Sequence, residues 1–325
     1  MKGTRLMREQ FTYAVARIRA KELSLLTGQD VSRLMACETY AECLNVLRDK
    51  GWPESDDYQK LLSMQESQLW QLVAELVSDR SLFNVLLLPI DFHNLKAAIK
   101  GHLTTSMSDD IFLSGGIFDK GHIVRCVEEN KLEELPAYMV EPAKLAFEQL
   151  LHTGDGQLCD IILDKALLQA IKTEGSTSQS RLIRDYSEFY VASTNIKMAM
   201  RCQRLKKNLS FLRSILVECE TLDIESLATA TIQGQDSLCE YLEYTAYADA
   251  VPFIKESLQK FEFWRDNKII ELIKSEKTDS FSIGPIFAYI LARQNEIKVV
   301  RIILSGKLNK IDNDLIKERL RVMYA

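Results

Sequence analysis

Asn94-Leu95-Lys96, Asn195-Ile196-Lys197 and Asn295-Glu296-Ile297-Lys298 are the three strings on which the reading of this chain of 325 residues turns. The asparagines stand 101 and then 100 positions apart, and six places after each comes a basic residue: Lys100, Arg201 and Arg301. An aliphatic-Lys pair follows each asparagine, with one extra residue, Glu296, in the third copy, so its register is open by one. A single string of this kind is common on amphipathic helices and carries nothing alone. Three copies at nearly equal spacing, each late in a segment of a little over a hundred residues, point to duplication. Weaker echoes accompany them: Leu163-Asp164-Lys165 precedes Arg265-Asp266-Asn267 by 102 residues, and Asp30, Asp119 and Asp223 each open a short apolar helix. Helical units repeated in this way present a shared surface or cavity more often than a reaction centre.

Outward from these strings the chain reads as helical. Gly 13 and Pro 6 together are about 6% of the residues, half the usual share, which favours long helices over a β-sandwich. Phe11, Ala14, Val15, Ile18, Leu25 and Leu26 recur at helical spacing, and Thr27-Gly28 reads as a stop. Asp30 and Thr39 are N-cap candidates for two short helices, and Leu61, Leu62, Leu69, Leu72 and Val73 mark a longer one. Ser114-Gly115-Gly116 breaks the chain after Leu95, Ala98 and Ile99. Glu141-Pro142 reads as a helix start, Gly154-Asp155-Gly156 as a turn and 175–180 as a polar loop, with helices over 158–171 and 181–212. No run alternates with period two. The expectation is an all-α protein of three related helical domains, 1–116, 117–217 and 218–325.

Composition narrows the function classes. Lys+Arg 41 against Asp+Glu 46 gives a net charge of −5, so no global positive field gathers a nucleic acid. The apolar run 85–90, broken by Pro89, is far short of the ~20 residues of a spanning helix. Lys2, Arg5 and Arg8 imitate a signal-peptide start, but Glu9, Gln10, Arg17 and Arg19 follow where an apolar stretch belongs, so a cytoplasmic location is expected. Seven scattered cysteines with no C-x-x-C, and four dispersed histidines, read as reduced packing thiols and not as a zinc site.

Catalytic motifs are wanting. No G-x-x-x-x-G-K-[ST] cradle occurs, Ser305-Gly306-Lys307 lacks the upstream glycine, and Gly154-x-Gly156 has Cys159 where a dinucleotide fingerprint needs its third glycine. Asp91 beside His93, and His152 near Asp155, are base-and-orienter candidates for a hydrolase, yet no nucleophile motif stands with them, and surface polar pairs explain them better. Arg301, Lys307, Lys310, Lys317, Arg319 and Arg321 make the C-terminal stretch basic, which reads as a solvated face or as a docking face for an acidic partner.

Several strings resemble one family, the C subunits of the archaeal and bacterial A/V-type rotary ATPases, whose counterpart in the eukaryotic vacuolar enzyme is the d subunit. They are Tyr13-Ala14-Val15-Ala16-Arg17-Ile18-Arg19, Asp91-Phe92-His93-Asn94-Leu95-Lys96 with Ser114-Gly115-Gly116, the run from Ala288 to Ile303, Gly306-Lys307, and Arg319 to Tyr324. The resemblance covers essentially the whole chain in length and motif order. One departure lies in the middle copy, where Ala192-Ser193-Thr194 precede Asn195 although the family tends to place an acidic residue there, as Asp91 in the first copy. It argues against a polar contact common to all three copies.

The resemblance implies a pseudo-threefold helical funnel, peripheral to the membrane on its cytoplasmic face. Its central socket takes the shaft made by the D and F subunits, and it sits on the membrane rotor ring of proteolipid subunits. The implied role is non-catalytic: coupling rotation to proton or sodium transport, with no cofactor, no direct nucleotide binding and no nucleic acid. A helical scaffold for another client is the alternative that the repeat alone also allows. Asn94, Lys100, Asn195, Arg201, Asn295 and Arg301 are the candidate repeat-signature or interface positions, and the three basic ones are expected to pair within the chain before they meet a partner.

Overall fold

Every regular element described is a helix, as expected of a chain poor in Gly and Pro with no two-residue alternation. The structure is a computed structural model that describes residues 11–102, 111–154, 156–279 and 281–325. The signal-like residues Lys2, Arg5, Arg8, Glu9 and Gln10, and Asp155 of the candidate turn and His152 pair, lie outside the described residues. The helices are α1 (Thr12–Glu22), α2 (Gly28–Ala36), α3 (Tyr40–Asp49), α4 (Tyr58–Leu76), α5 (Asn84–His102), α6 (Lys120–Glu128), α7 (Ala137–Thr153) and α8 (Gly156–Thr177). They continue as α9 (Arg181–Arg204), α10 (Leu209–Ile215), α11 (Ile224–Gln233), α12 (Gln235–Glu243), α13 (Val251–Glu256), α14 (Leu258–Lys274), α15 (Gly284–Leu308) and α16 (Asn313–Lys317). Two compact units result: Met1–Arg80 with Ser180–Leu182 and Glu262–Ala325, and Ser81–Gln179 with Ile183–Phe261.

The first unit is organised by α15. Its apolar residues fall on every face, and a helix of that kind is stable only when surrounded. It packs against α1, α3, α4 and α16, and Val300, Ile303 and Leu304 join Leu34, Leu47 and Leu61 in one core. Pro285 sits in the first turn, where its missing N–H costs nothing. Near the other end Gly306 lies against Ile316, and a Cβ there would fall 2.5 Å from Ile316 Cδ1, so the glycine lets α16 close onto α15.

Within this apolar helix are buried Arg293 and Glu296, which form an ion pair. Glu296 Oε2 also accepts the Leu26 amide at 2.7 Å, while Arg293 donates to Ser24 Oγ at 3.2 Å and to Tyr289 Oη at 3.1 Å. The segment between α1 and α2 is thereby held to a helix some 270 residues away in sequence. Burial pushes the Glu296 carboxyl up, against the opposing effect of Arg293 and the Leu26 amide.

The second unit is built around α5, which packs on α6, α7 and α8. By length and composition the helix over 80–102 is apolar enough to cross a membrane, but 61% of its apolar 18-residue stretch is buried within the fold. Asp91 and Asn94 on it are fully buried and hydrogen-bonded, which marks it as a core helix. α7 ends at Gly154 in the left-handed conformation, φ 64°. At Gly175 a Cβ would stand 2.2 Å from Ser187 Cβ, so α8 and α9 meet there backbone to side chain.

Several boundaries differ from the sequence expectation. Thr27-Gly28 does not stop a helix: Thr27 caps α2, its hydroxyl accepting the Asp30 amide while the Asp30 carboxylate returns to Thr27, so Asp30 is the third residue of a capping box and not the cap. Thr39, Asp119 and Asp223 are N-caps as expected. Pro142 lies inside α7, whose start is set by Pro136. α8 continues through Gly175 to Thr177, and the stretch 181–212 is divided where the Asn208 side chain caps α10.

Replacing Glu296 by Leu leaves the Arg293 guanidinium buried without its counter-charge, and a loss of about 3–5 kcal/mol in urea unfolding is expected. The double change Arg293→Met with Glu296→Leu should recover more than half of that loss. A double variant as unstable as the single one would contradict the pairing.

Candidate functional site

The three asparagines of the repeated strings perform one task. On α5, Asn94 Nδ2 donates to the Leu113 carbonyl at 2.9 Å while its Oδ1 accepts the Leu113 amide at 2.8 Å. On α9, Asn195 brackets Val217 in the same two-bond manner, at 2.7 and 3.1 Å. On α15, Asn295 donates to the Val322 carbonyl at 3.0 Å, and the Val322 amide goes instead to Asn267 Oδ1 at 2.9 Å. A carboxamide carries a donor and an acceptor side by side, so it can replace a β-ladder partner for one peptide edge. The expectation that no polar contact is common to the copies is therefore corrected. The asparagine itself makes that contact and needs no preceding acid.

What the preceding acid does is separate. Asp91 Oδ2 and Oδ1 accept the Ile117 and Phe118 amides, at 3.1 and 3.4 Å. Gly116 is required beside it, because an added Cβ would lie 1.9 Å from Asp91 Oδ1. In the middle copy Glu188 Oε1, on the same helix as Asn195, accepts the Thr221 amide at 2.7 Å. The shift from three residues before the asparagine to seven hides this contact from a comparison of the strings alone.

The basic positions diverge. Lys100 Nζ pairs with Asp160 at 2.6 Å, and Lys96 pairs with Asp164. Arg201 and Arg301 are exposed, and the charge of Arg301 acts on Glu66, whose carboxyl burial pushes up. The densest charge lies elsewhere, at Asp266 on α14, which meets Lys298, Arg321 Nε at 2.8 Å and an Arg265 amino group at 3.4 Å. Burial alone would raise the Asp266 carboxyl, but Lys298, Arg265 and Arg321 outweigh it and hold it below the ordinary value. The sequence signals this cluster only through the spacing of Asp266 from Asp164.

None of this is arranged for bond making. Asp91 is committed to backbone amides, and His93 Nε2 lies 2.9 Å from the Ile111 carbonyl, so the two do not form a base and its orienter. Burial pushes the thiols of Cys43, Cys159 and Cys219 up, to about 12, 11 and 11, which keeps them protonated and unreactive. His122 and Cys126 approach to 3.7 Å, but burial raises that thiol as well. Among the described residues no group of three or more His, Cys, Asp or Glu could hold a metal ion. A polar cleft of about 300 Å³ opens between α1, α4 and α15, lined by Arg17, Lys21, Gln65, Glu75, Tyr289 and Arg293.

The family model for the ATP synthase (C/AC39) subunit matches residues 14–319. The C subunit of the V-type sodium ATPase of Enterococcus hirae is 19% identical over 317 residues, spanning 94% of this chain and 97% of the relative. The C subunit of the A-type ATP synthase of Thermococcus kodakarensis is 20% identical over 332 residues, spanning 95% and 89%. That of Pyrococcus horikoshii is 23% identical over 348 residues, spanning 96% and 90%.

Asn195→Ala strands the buried Val217 amide and carbonyl, with an expected cost of about 2–4 kcal/mol in chemical denaturation. Asn295→Ala, which loses one bond, should cost less, and Arg201→Ala should stay within about 0.5 kcal/mol. Equal effects at Asn195 and Arg201 would refute the bracket. Because the Asp266 carboxyl is lowered in the folded state, its contribution is complete above the ordinary carboxylate pKa of about 4 and is lost as pH falls through the lowered folded value. Asp266→Asn should therefore be less stable at neutral pH and show a shallower loss of stability in acid; an acid limb unchanged from wild type would contradict this.

Proposed function

Because the chain belongs to the ATP synthase (C/AC39) subunit family, and so is a non-catalytic subunit of an A/V-type rotary ATPase and a peripheral part of that membrane-associated complex, we propose that it works in the central stalk. There it acts on the cytoplasmic face as the socket that couples the shaft, made by the D and F subunits, to the membrane rotor ring, for ATP-linked transport of protons or sodium ions. The observation that carries this reading is the match across residues 14–319, with relatives whose length this chain spans almost end to end.

The asparagine brackets support three related units, 1–116, 117–217 and 218–325, as the basis of the socket. Each bracketed residue, Leu113, Val217 and Val322, lies at the close of one such unit. A part that transmits torque must not yield between its helices and its connections, and a bracket with both bonds buried resists such yielding. Contacts to a ring assembled separately should be polar and spread over many residues, since a large apolar face would be a liability before assembly.

A complex reconstituted in vesicles without this chain should hydrolyse ATP without pumping ions, and adding the chain back should restore pumping. Retained coupling in its absence would sink the proposal.

A further inference from the structure

Lys96–Asp164 and Lys298–Asp266 each engage the lysine of a repeated string, the former between the first and second copies and the latter within the third, yet their charge differs. In the former, one cation meets one carboxylate, and the neighbouring pair Lys100–Asp160 is likewise balanced. In the latter, Asp266 is shared by Lys298, Arg321 and Arg265. Among the described residues no other carboxylate forms an ion pair with these three cations, so the cluster carries a formal excess of two positive charges. It is also recessed: side-chain exposure is 10% for Asp266, 11% for Arg321 and 22% for Arg265, with Lys298 more open at 43%.

Such an excess is unfavourable in the free chain. The buried Arg265 Nε has no hydrogen-bond partner, and its contact with Asp266, at 3.4 Å, is the longest of the three. Burial, together with Arg321 and Arg265, drives the Lys298 ammonium toward its neutral form against the pull of Asp266. The cluster cannot easily disperse, because Arg321 is fixed by Asp266 on one side and by the Phe263 ring, 5.5 Å away, on the other. What would balance it is an anion from outside.

We propose that this recess, formed by α14, α15 and the C-terminal tail, receives a carboxylate-bearing segment of a partner protein in the complex, and that Arg265 is its principal contact. The inference rests on the rotary-ATPase reading above and specifies the chemistry of one interface. Two carboxylates would neutralise the excess, and the partly exposed Arg265 guanidinium can meet one of them through its amino groups. The recess favours a protruding side chain or chain terminus over a bilayer surface, which selects protruding cations instead. The internal comparison adds a specificity argument: the balanced Lys96–Asp164 site offers such a segment no net attraction.

The test uses the complex stripped of this chain and measures rebinding of the full-length wild-type, Arg265→Gln and Arg265→Lys proteins at low and raised salt. Arg265→Gln should bind about tenfold more weakly with a flatter salt dependence, Arg265→Lys should lie between, and the free Arg265→Gln chain should melt no lower than wild type. Rebinding of Arg265→Gln with wild-type affinity and salt dependence would overturn the proposal. So would an unchanged rebinding accompanied by weaker binding to vesicles of equal parts phosphatidylcholine and phosphatidylglycerol, which would assign the cluster to lipid. Failure of all three proteins to rebind would instead remove the rotary reading on which the proposal stands.

Discussion

A carboxamide taken out of water must find both a donor and an acceptor, and a returning peptide edge offers both within one residue. Asn94 and Asn195 each settle this requirement on a later segment, at Leu113 and Val217, and at Val322 Asn295 shares the task with Asn267. Other features follow from that placement. Beside Asn94, Asp91 accepts the Ile117 and Phe118 amides, and Gly116 supplies the clearance.

Charge is distributed differently from shape. The brackets are similar in all three places, but the groups around them are not: a balanced lysine pair near the first, Glu188 on Thr221 near the second, and three cations on Asp266 near the third. Duplicated helical units can keep a common skeleton while each surface is tuned separately, because the bracket depends on one residue and the surface on many. That separation explains why Lys100, Arg201 and Arg301, though nearly equally spaced in sequence, have unlike surroundings.

The helical class and the three asparagines are legible in the sequence, since both depend on local spacing. Thr39, Asp119 and Asp223 are legible as caps for the same reason. Thr27 misleads because a Thr-Gly pair serves a helix end or a helix start, and only the return bond from Asp30 decides between them. Pro142 misleads because α7 already starts after Pro136 and runs through it. Glu296 looks like an insertion that blurs a register; its role depends on Leu26 and Arg293, and the partner at Leu26 is far outside any sequence window. The Asp266 cluster gathers residues from three segments, so spacing alone cannot display its excess charge.

The central proposal is positional, that this chain stands between the shaft and the ring of a rotary ATPase. Crosslinking mass spectrometry on the intact complex tests it most directly. The account predicts links from this chain to a shaft component and to the cytoplasmic loops of the ring in the same preparation. Links confined to the catalytic head or to a peripheral stalk would contradict it.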